Sequence, residues 1–111
     1  MTSIVNIHKI HGKRPAFDVY IGRAVKGTEF TNDSIWANTF TLDKYSLEDS
    51  LRFYEERIRT LIRCFPATYN ILALKGKILG CWCIATDKFD KIVCHGQILL
   101  KILWEIQHVS S

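Results

Sequence analysis

The 111-residue sequence predicts a small α/β domain, and three observations carry that prediction. Two short β-prone runs open the chain, and one strongly amphipathic helix occupies its middle. A nearly continuous apolar run of strand length then leads toward an apolar helix at the end. The order is roughly β-β-α-β-α, which favours a mostly parallel sheet in a two- or three-layer sandwich of Rossmann-like character. Residues 1–111 are expected to form one domain, long enough for a single hydrophobic core.

Ile4-Val5-Asn6-Ile7 reads as the first strand, and Phe17-Asp18-Val19-Tyr20-Ile21 as the second, rich in β-branched and aromatic residues. His11-Gly12-Lys13-Arg14-Pro15 is the turn between them. Residues 24 to 45 show no sustained period and hold Gly27, Asn32, Asp33 and Asn38, which predicts a long loop. Loops of that length in a compact domain are uncommon and often functional. Ser46 is a good N-cap, with Asp49 in a capping-box-like position. Leu47, Leu51, Tyr54, Ile58, Leu61 and Phe65 follow at alternating steps of four and three, one apolar stripe that Pro66 terminates. Glu55 and Arg59 make a helix-supporting pair on the other side.

Ile71-Leu72-Ala73-Leu74 predicts a short helical turn ended by Gly76. Ile78-Leu79-Gly80-Cys81-Trp82-Cys83-Ile84 suits a central strand covered on both faces. The last helix is expected from about Gly96 to His108. Gln97, Lys101, Glu105 and His108 form its one polar stripe, and Ile98, Leu99, Leu100, Ile102, Leu103, Trp104 and Ile106 cover the rest. So much apolar surface demands more than one wall, and a homodimer interface through this helix or a deep intramolecular groove would supply it.

Composition narrows the function classes. Hydrophobic content of 48% excludes a disordered chain, and no apolar run is long enough to span a bilayer. The first six residues lack the basic and apolar segments of a signal peptide, so a cytoplasmic location is expected. Four cysteines in that setting point to thiols or metal ligands before disulfides. The net charge of +4 sits in residues 1–26, where Lys9, Lys13, Arg14, Arg23 and Lys26 face Asp18 alone. No Arg/Lys stripe with interleaved aromatics accompanies it, which argues against nucleic-acid binding.

Chemistry concentrates at Cys81-Trp82-Cys83 and Cys94-His95-Gly96. Cys81 and Cys83 share one face of a strand, and Cys94 stands where the last helix begins, a position that acidifies thiols and welcomes anions. Small buried hydrophobes are the commonest fate of such cysteines. Cys81, Cys83, Cys94 and His95 have the number and types of a zinc site, but the strand spacing and the adjacent Cys-His pair fit one ion poorly. Cys94 with His95 could act as a reactive thiol and acid/base group. The favoured reading is a pocket for a phosphate or other anion. Ligands of Rossmann-like sheets lie beyond the carboxyl ends of the strands, where both Gly22-Arg23 and the cysteine block fall. Arg23 would fork onto the anion, Trp36 and Asn38 would stack on and hydrogen-bond a ring, and Asn6 and Gly96 would complete the wall. No cofactor is called for, zinc being the minor alternative.

Val5-Asn6, Asp18-Val19-Tyr20-Ile21-Gly22-Arg23, Trp36-Ala37-Asn38-Thr39-Phe40, Leu74 to Cys83 and Cys94-His95-Gly96-Gln97-Ile98-Leu99 together resemble the domain-of-unknown-function family numbered 4326. Members typically occur in phages, bacteria and large DNA viruses, which would place a viral member in the host cytoplasm. The resemblance runs from about Ile4 to Trp104 and implies that these blocks belong together. This chain departs from the pattern at Ala37 and Thr39, where glycine and proline are usual. It also departs in the longer, proline-free segment between Cys83 and Cys94, and at Gln97, where an aspartate is usual. Loss of that acid weakens an acid/base role for His95. The expectation is a domain that binds a phosphorylated or nucleotide-like small molecule; whether it is an enzyme is left open, and if it is one, hydrolysis or group transfer on that ligand is the expected class. The alternative is a protein-interaction module, homodimeric or host-factor-binding, with structural or zinc-binding cysteines.

Overall fold

The computed structural model of the chain describes residues 2–7, 16–25, 29–81 and 94–109. Three strands, Ser3–Asn6 (β1), Val19–Tyr20 (β2) and Ile78–Cys81 (β3), form a parallel sheet in the order β1-β3-β2. The apolar run Ile78–Cys81 is thus the central strand its composition predicts. Ser3 pairs with Ile78 and Asn6 with Cys81 on one side, and Val19 with Leu79 and Tyr20 with Gly80 on the other. Both edge strands are shifted or shorter than their sequence patterns, because strand pairing is set by β3. The ladder nevertheless reaches further in single bonds, with Ile7 N–H to Cys81 O at 2.9 Å and Ile21 N–H to Gly80 O at 3.0 Å. The predicted extension of β3 to Ile84 lies outside the described residues.

Helix α1 spans Leu47–Cys64. The Ser46 hydroxyl accepts from the Asp49 N–H at 3.1 Å, as the cap sequence predicts. Asp49 itself turns to Arg52, 3.1 Å away, instead of closing the box. The apolar stripe is buried at its centre, through Leu51, Tyr54 and Ile58, while Leu47 and Phe65 at its ends are exposed. A short 3-10 turn, Ile71–Leu74, buries Ile71 and Leu74 before Gly76 reverses the chain at φ +76°. Helix α2 spans His95–Val109.

The core forms where α1, α2 and one face of the sheet meet. Ile4, Leu79 and Cys81 from the strands pack with Tyr54, Ile58, Ile98, Leu99 and Ile102. Side chains alternate along a strand, so Gly80 points the other way, toward Phe17 and Ile7. Each fully buried aliphatic side chain contributes roughly 1.5–3 kcal/mol, so this cluster is the main source of stability. Ile98, Leu99, Leu100, Ile102 and Leu103 are all buried within the one chain, which supplies the groove that α2's composition demands. Among the described side chains of α2, Trp104 is the large apolar residue left exposed, at 56%, stacked on His108.

The polar stripe of α2 is not a solvated face. Lys101 lies 3.2 Å from Glu55, and Glu105 lies 2.9 Å from Arg59, which also bonds Glu55 at 2.9 Å. The expected Glu55–Arg59 pair is therefore part of a bridge between the two helices. Burial pushes the Glu55 carboxyl up, but the hydrogen bonds and charges of Arg59 and Lys101 outweigh it and hold it below its ordinary value. No helix among the described residues is long and apolar enough to cross a membrane.

Candidate functional site

Parallel strands present their carboxyl ends at one edge. After β2 the chain turns at Gly22 and Arg23. The Tyr20 hydroxyl donates to the Arg23 carbonyl and lays its ring across Gly22, where a Cβ would come within 2.5 Å of the Tyr20 oxygen. A side chain at position 22 would require the Tyr20 ring to shift.

The described part of the long segment between β2 and α1 is irregular, as its sequence predicts, and it is fastened at several points. Ala24 N–H donates to Asp33 at 2.7 Å, Ser34 N–H to Gly22 O at 3.0 Å, and the Tyr20 ring stacks on Phe30 at 4.0 Å. Asn38 donates to Ser50 of α1 at 2.9 Å and accepts from Phe40 N–H at 2.9 Å, while Ser50 donates to the Phe40 carbonyl. Phe40, Tyr45 and Phe53 form an aromatic cluster with ring centroids 5.5–5.7 Å apart.

Helix α2 begins at the same edge. Cys94 stands at its N-cap position, and the fully buried Gln97 accepts from the Cys94 N–H through Oε1 at 3.0 Å. Sequence periodicity puts Gln97 on the polar stripe, but it is a buried capping group. The His95 ring bonds Ile21 O through Nε2 at 2.7 Å and packs edge-on to Tyr54 at 5.2 Å. A carbonyl can only accept, so Nε2 carries a hydrogen, and Nδ1 faces Cys94 Sγ at 4.0 Å. Neighbours in sequence seldom meet in this way. Here Cys94 precedes the helix and His95 opens it, so the side chains leave different backbone geometries. Gly96 lies against the sheet: a Cβ there would stand 2.9 Å from Ile21 Cδ1 and 3.0 Å from Ile4 Cδ1.

A cavity of about 400 Å³ opens between these parts. Gly22, Arg23, Asn38, Cys94 and His95 line it, residues picked out by sequence from three separate segments. Val25, Phe40, Leu42, Leu47 and Leu51 supply apolar wall, with Thr41 and Ser50 beside them. Sequence reasoning passed over these last residues. Ser50, a small polar residue beside the apolar stripe of α1, was the available signal. Among the described residues the Arg23 guanidinium forms no ion pair or hydrogen bond, and the side chain is exposed.

Two expected members fall elsewhere. Trp36 is buried, meets Tyr69 edge-on at 5.7 Å, and lends its carbonyl to the Tyr54 hydroxyl at 2.8 Å, so it pins the loop to the core. Gly96 packs on Ile4 and Ile21 outside the cavity wall. Asn6 ends β1 in register with Cys81, and its side chain lies outside what is described. Burial pushes the Tyr54 hydroxyl well above its ordinary value, and Cys94 adds to the effect.

Cys81 Sγ lies 3.3 Å from Cys94 Sγ, both buried. Strand geometry alone gives no hint of that approach, since it depends on where α2 starts. Among the described residues no group of three or more ligand-type side chains is arranged to hold a metal ion. The four-ligand zinc set also needs Cys83, which lies outside the described residues.

Three parallel strands, two helices and a cavity at the strand ends define a small mixed α/β domain. The chain belongs to the family described as Domain of unknown function (DUF4326), whose model matches residues 5–105. It is 34% identical over 90 residues to Uncharacterized protein R718 of Acanthamoeba polyphaga mimivirus. That match takes in 77% of this chain and 65% of the relative, so the chain spans about two thirds of the relative's length. No solved structure matches the chain.

Proposed function

We propose that this domain binds a small phosphorylated or nucleotide-like molecule in the cavity between Arg23 and the start of α2. The observation that carries the reading is Arg23 itself, a guanidinium without an ion pair among the described residues, on a cavity wall that is otherwise largely apolar. A site with one cation and an apolar enclosure suits a ligand with an anionic group and a ring. The first turn of α2 adds its dipole on the anion's side. Phe40, Leu42, Leu47 and Leu51 offer the surface against which a ring would rest. A Rossmann-like use of the sheet, with the ligand beyond the carboxyl ends of parallel strands, accords with this location. Hydrolysis or group transfer is the accompanying chemistry, with His95 Nδ1 as proton acceptor and Cys94 beside it. The domain would act in the cytoplasm, which for a viral member is the host's.

A thermal-shift screen with nucleotides and sugar phosphates tests the reading. A ligand at a hundred times its Kd stabilises by about 2.7 kcal/mol, a clear shift, and Arg23→Ala should abolish it. No stabilisation by any compound at roughly millimolar concentration would overturn the proposal.

One observation favours a second reading. Trp104 is 56% exposed on α2, and a homodimer or a host factor could cover it. Light scattering of wild type and Trp104→Ala decides the homodimer: a dimeric mass lost in the variant supports it, and a monomeric wild type excludes it.

A further inference from the structure

We propose that Cys81 and Cys94 form a reversible disulfide, with Cys94 the thiol that meets the oxidant from the cavity. The sulfurs are 3.3 Å apart, and a disulfide needs them at about 2 Å, so the remaining closure is roughly 1.3 Å. Cys81 ends the described part of the central strand and Cys94 precedes α2, thirteen positions later, so the bond would clamp strand to helix.

The two thiols are not equivalent. Cys94 lines the cavity and Cys81 does not, so a small oxidant entering from solvent meets Cys94 first. Cys94 also has the helix start at its backbone and His95 Nδ1 4.0 Å from its sulfur. The Nε2 hydrogen is committed to Ile21 O, which leaves Nδ1 as the nitrogen able to take the thiol proton. Cys81 is fully buried behind it, the position of a resolving thiol.

With hydrogen peroxide as oxidant the steps balance. The Cys94 thiolate attacks the nearer peroxide oxygen, the O–O bond breaks, and a sulfenic acid forms while the departing oxygen leaves as water with the thiol proton. The Cys81 thiol then attacks the Cys94 sulfur, forming S–S and breaking S–O, and its proton leaves with the hydroxide as a second water. Two thiols are oxidised, one peroxide is reduced, and a small dithiol reverses the change by exchange.

The test treats the purified full chain with hydrogen peroxide and follows thiol count, intact mass and peptide linkage. The expected result is loss of two thiols, a peptide cross-link between Cys81 and Cys94, and recovery on adding dithiothreitol. Cys94→Ser should abolish the cross-link, and Cys81→Ser should leave a sulfenic acid on Cys94 that dimedone traps. A link through Cys64 or Cys83, or no cross-link in wild type, would overturn the proposal. Peptide mapping of wild type needs no variant, so a misfolded mutant does not rescue it. No phosphorylated ligand enters the experiment, so its failure is separate from failure of the binding reading.

Discussion

His95 Nε2 lies 2.7 Å from the carbonyl oxygen of Ile21, which joins the first residue of α2 to the residue that follows β2. Both residues are buried. His95→Phe keeps the ring and its contact with Tyr54 but leaves the carbonyl without this donor. The expected loss is about 1–3 kcal/mol, read as a lower urea midpoint with unchanged slope. An unchanged midpoint would show that the bond contributes nothing net.

Tyr54 ties α1 to the loop through Trp36 O at 2.8 Å, and Tyr54→Phe should cost about 0.5–1.5 kcal/mol near neutral pH. Its hydroxyl titrates above the ordinary value of 10.0 when folded. The unfolded chain therefore loses this proton first, and the stability it represents is complete below pH 10 and falls as pH rises beyond it. Denaturation curves on the alkaline side should show the advantage of wild type over the variant shrinking.

Glu55 behaves in the opposite sense. Its folded value lies below the ordinary 4.5, so its contribution is present above that pH and disappears as pH falls through the lower folded value. The bridge to Arg59 and Lys101 is partly exposed, so Glu55→Gln should cost only about 0.3–1 kcal/mol. The loss should diminish in high salt and vanish in acid, which urea titrations at three pH values would reveal.

Gly96→Ala sets two effects against each other. Alanine raises helix propensity by at most about 1 kcal/mol. Its Cβ would meet Ile21 and Ile4 at 2.9 and 3.0 Å, and overpacking of a core typically costs about 1–3 kcal/mol. The expected net result is destabilisation, seen as a lower Tm. A higher Tm would mean that the two isoleucine tips move aside freely.

Periodicity and punctuation made the elements legible. Ser46 and Pro66 bracket α1 closely, and the unbroken apolar run of β3 is what a strand flanked on both sides requires. The rule about strand ends points to Arg23, while Asn38 and His95, which line the same cavity, are picked out by the long loop and by the start of α2. Pattern describes the faces of an element and not the partners of each atom. Gln97 shares a stripe with Lys101 and Glu105, yet it caps α2 in the core while they bridge to α1. Trp36 and Gly96 carry residue types suited to a ligand, but their neighbours Tyr69, Tyr54, Ile4 and Ile21 give them packing roles. The approach of Cys81 to Cys94 depends on the docking of α2, a tertiary outcome that no local spacing encodes.

The central place of β3 bears on the order in which the chain can fold. Neither β1 nor β2 pairs with the other, and both take their registers from residues 78–81. Among the described residues, then, a chain emerging from the ribosome holds no partner for either strand until β3 has been made. Helix α1 can form by local contacts meanwhile, but the sheet closes late and all at once.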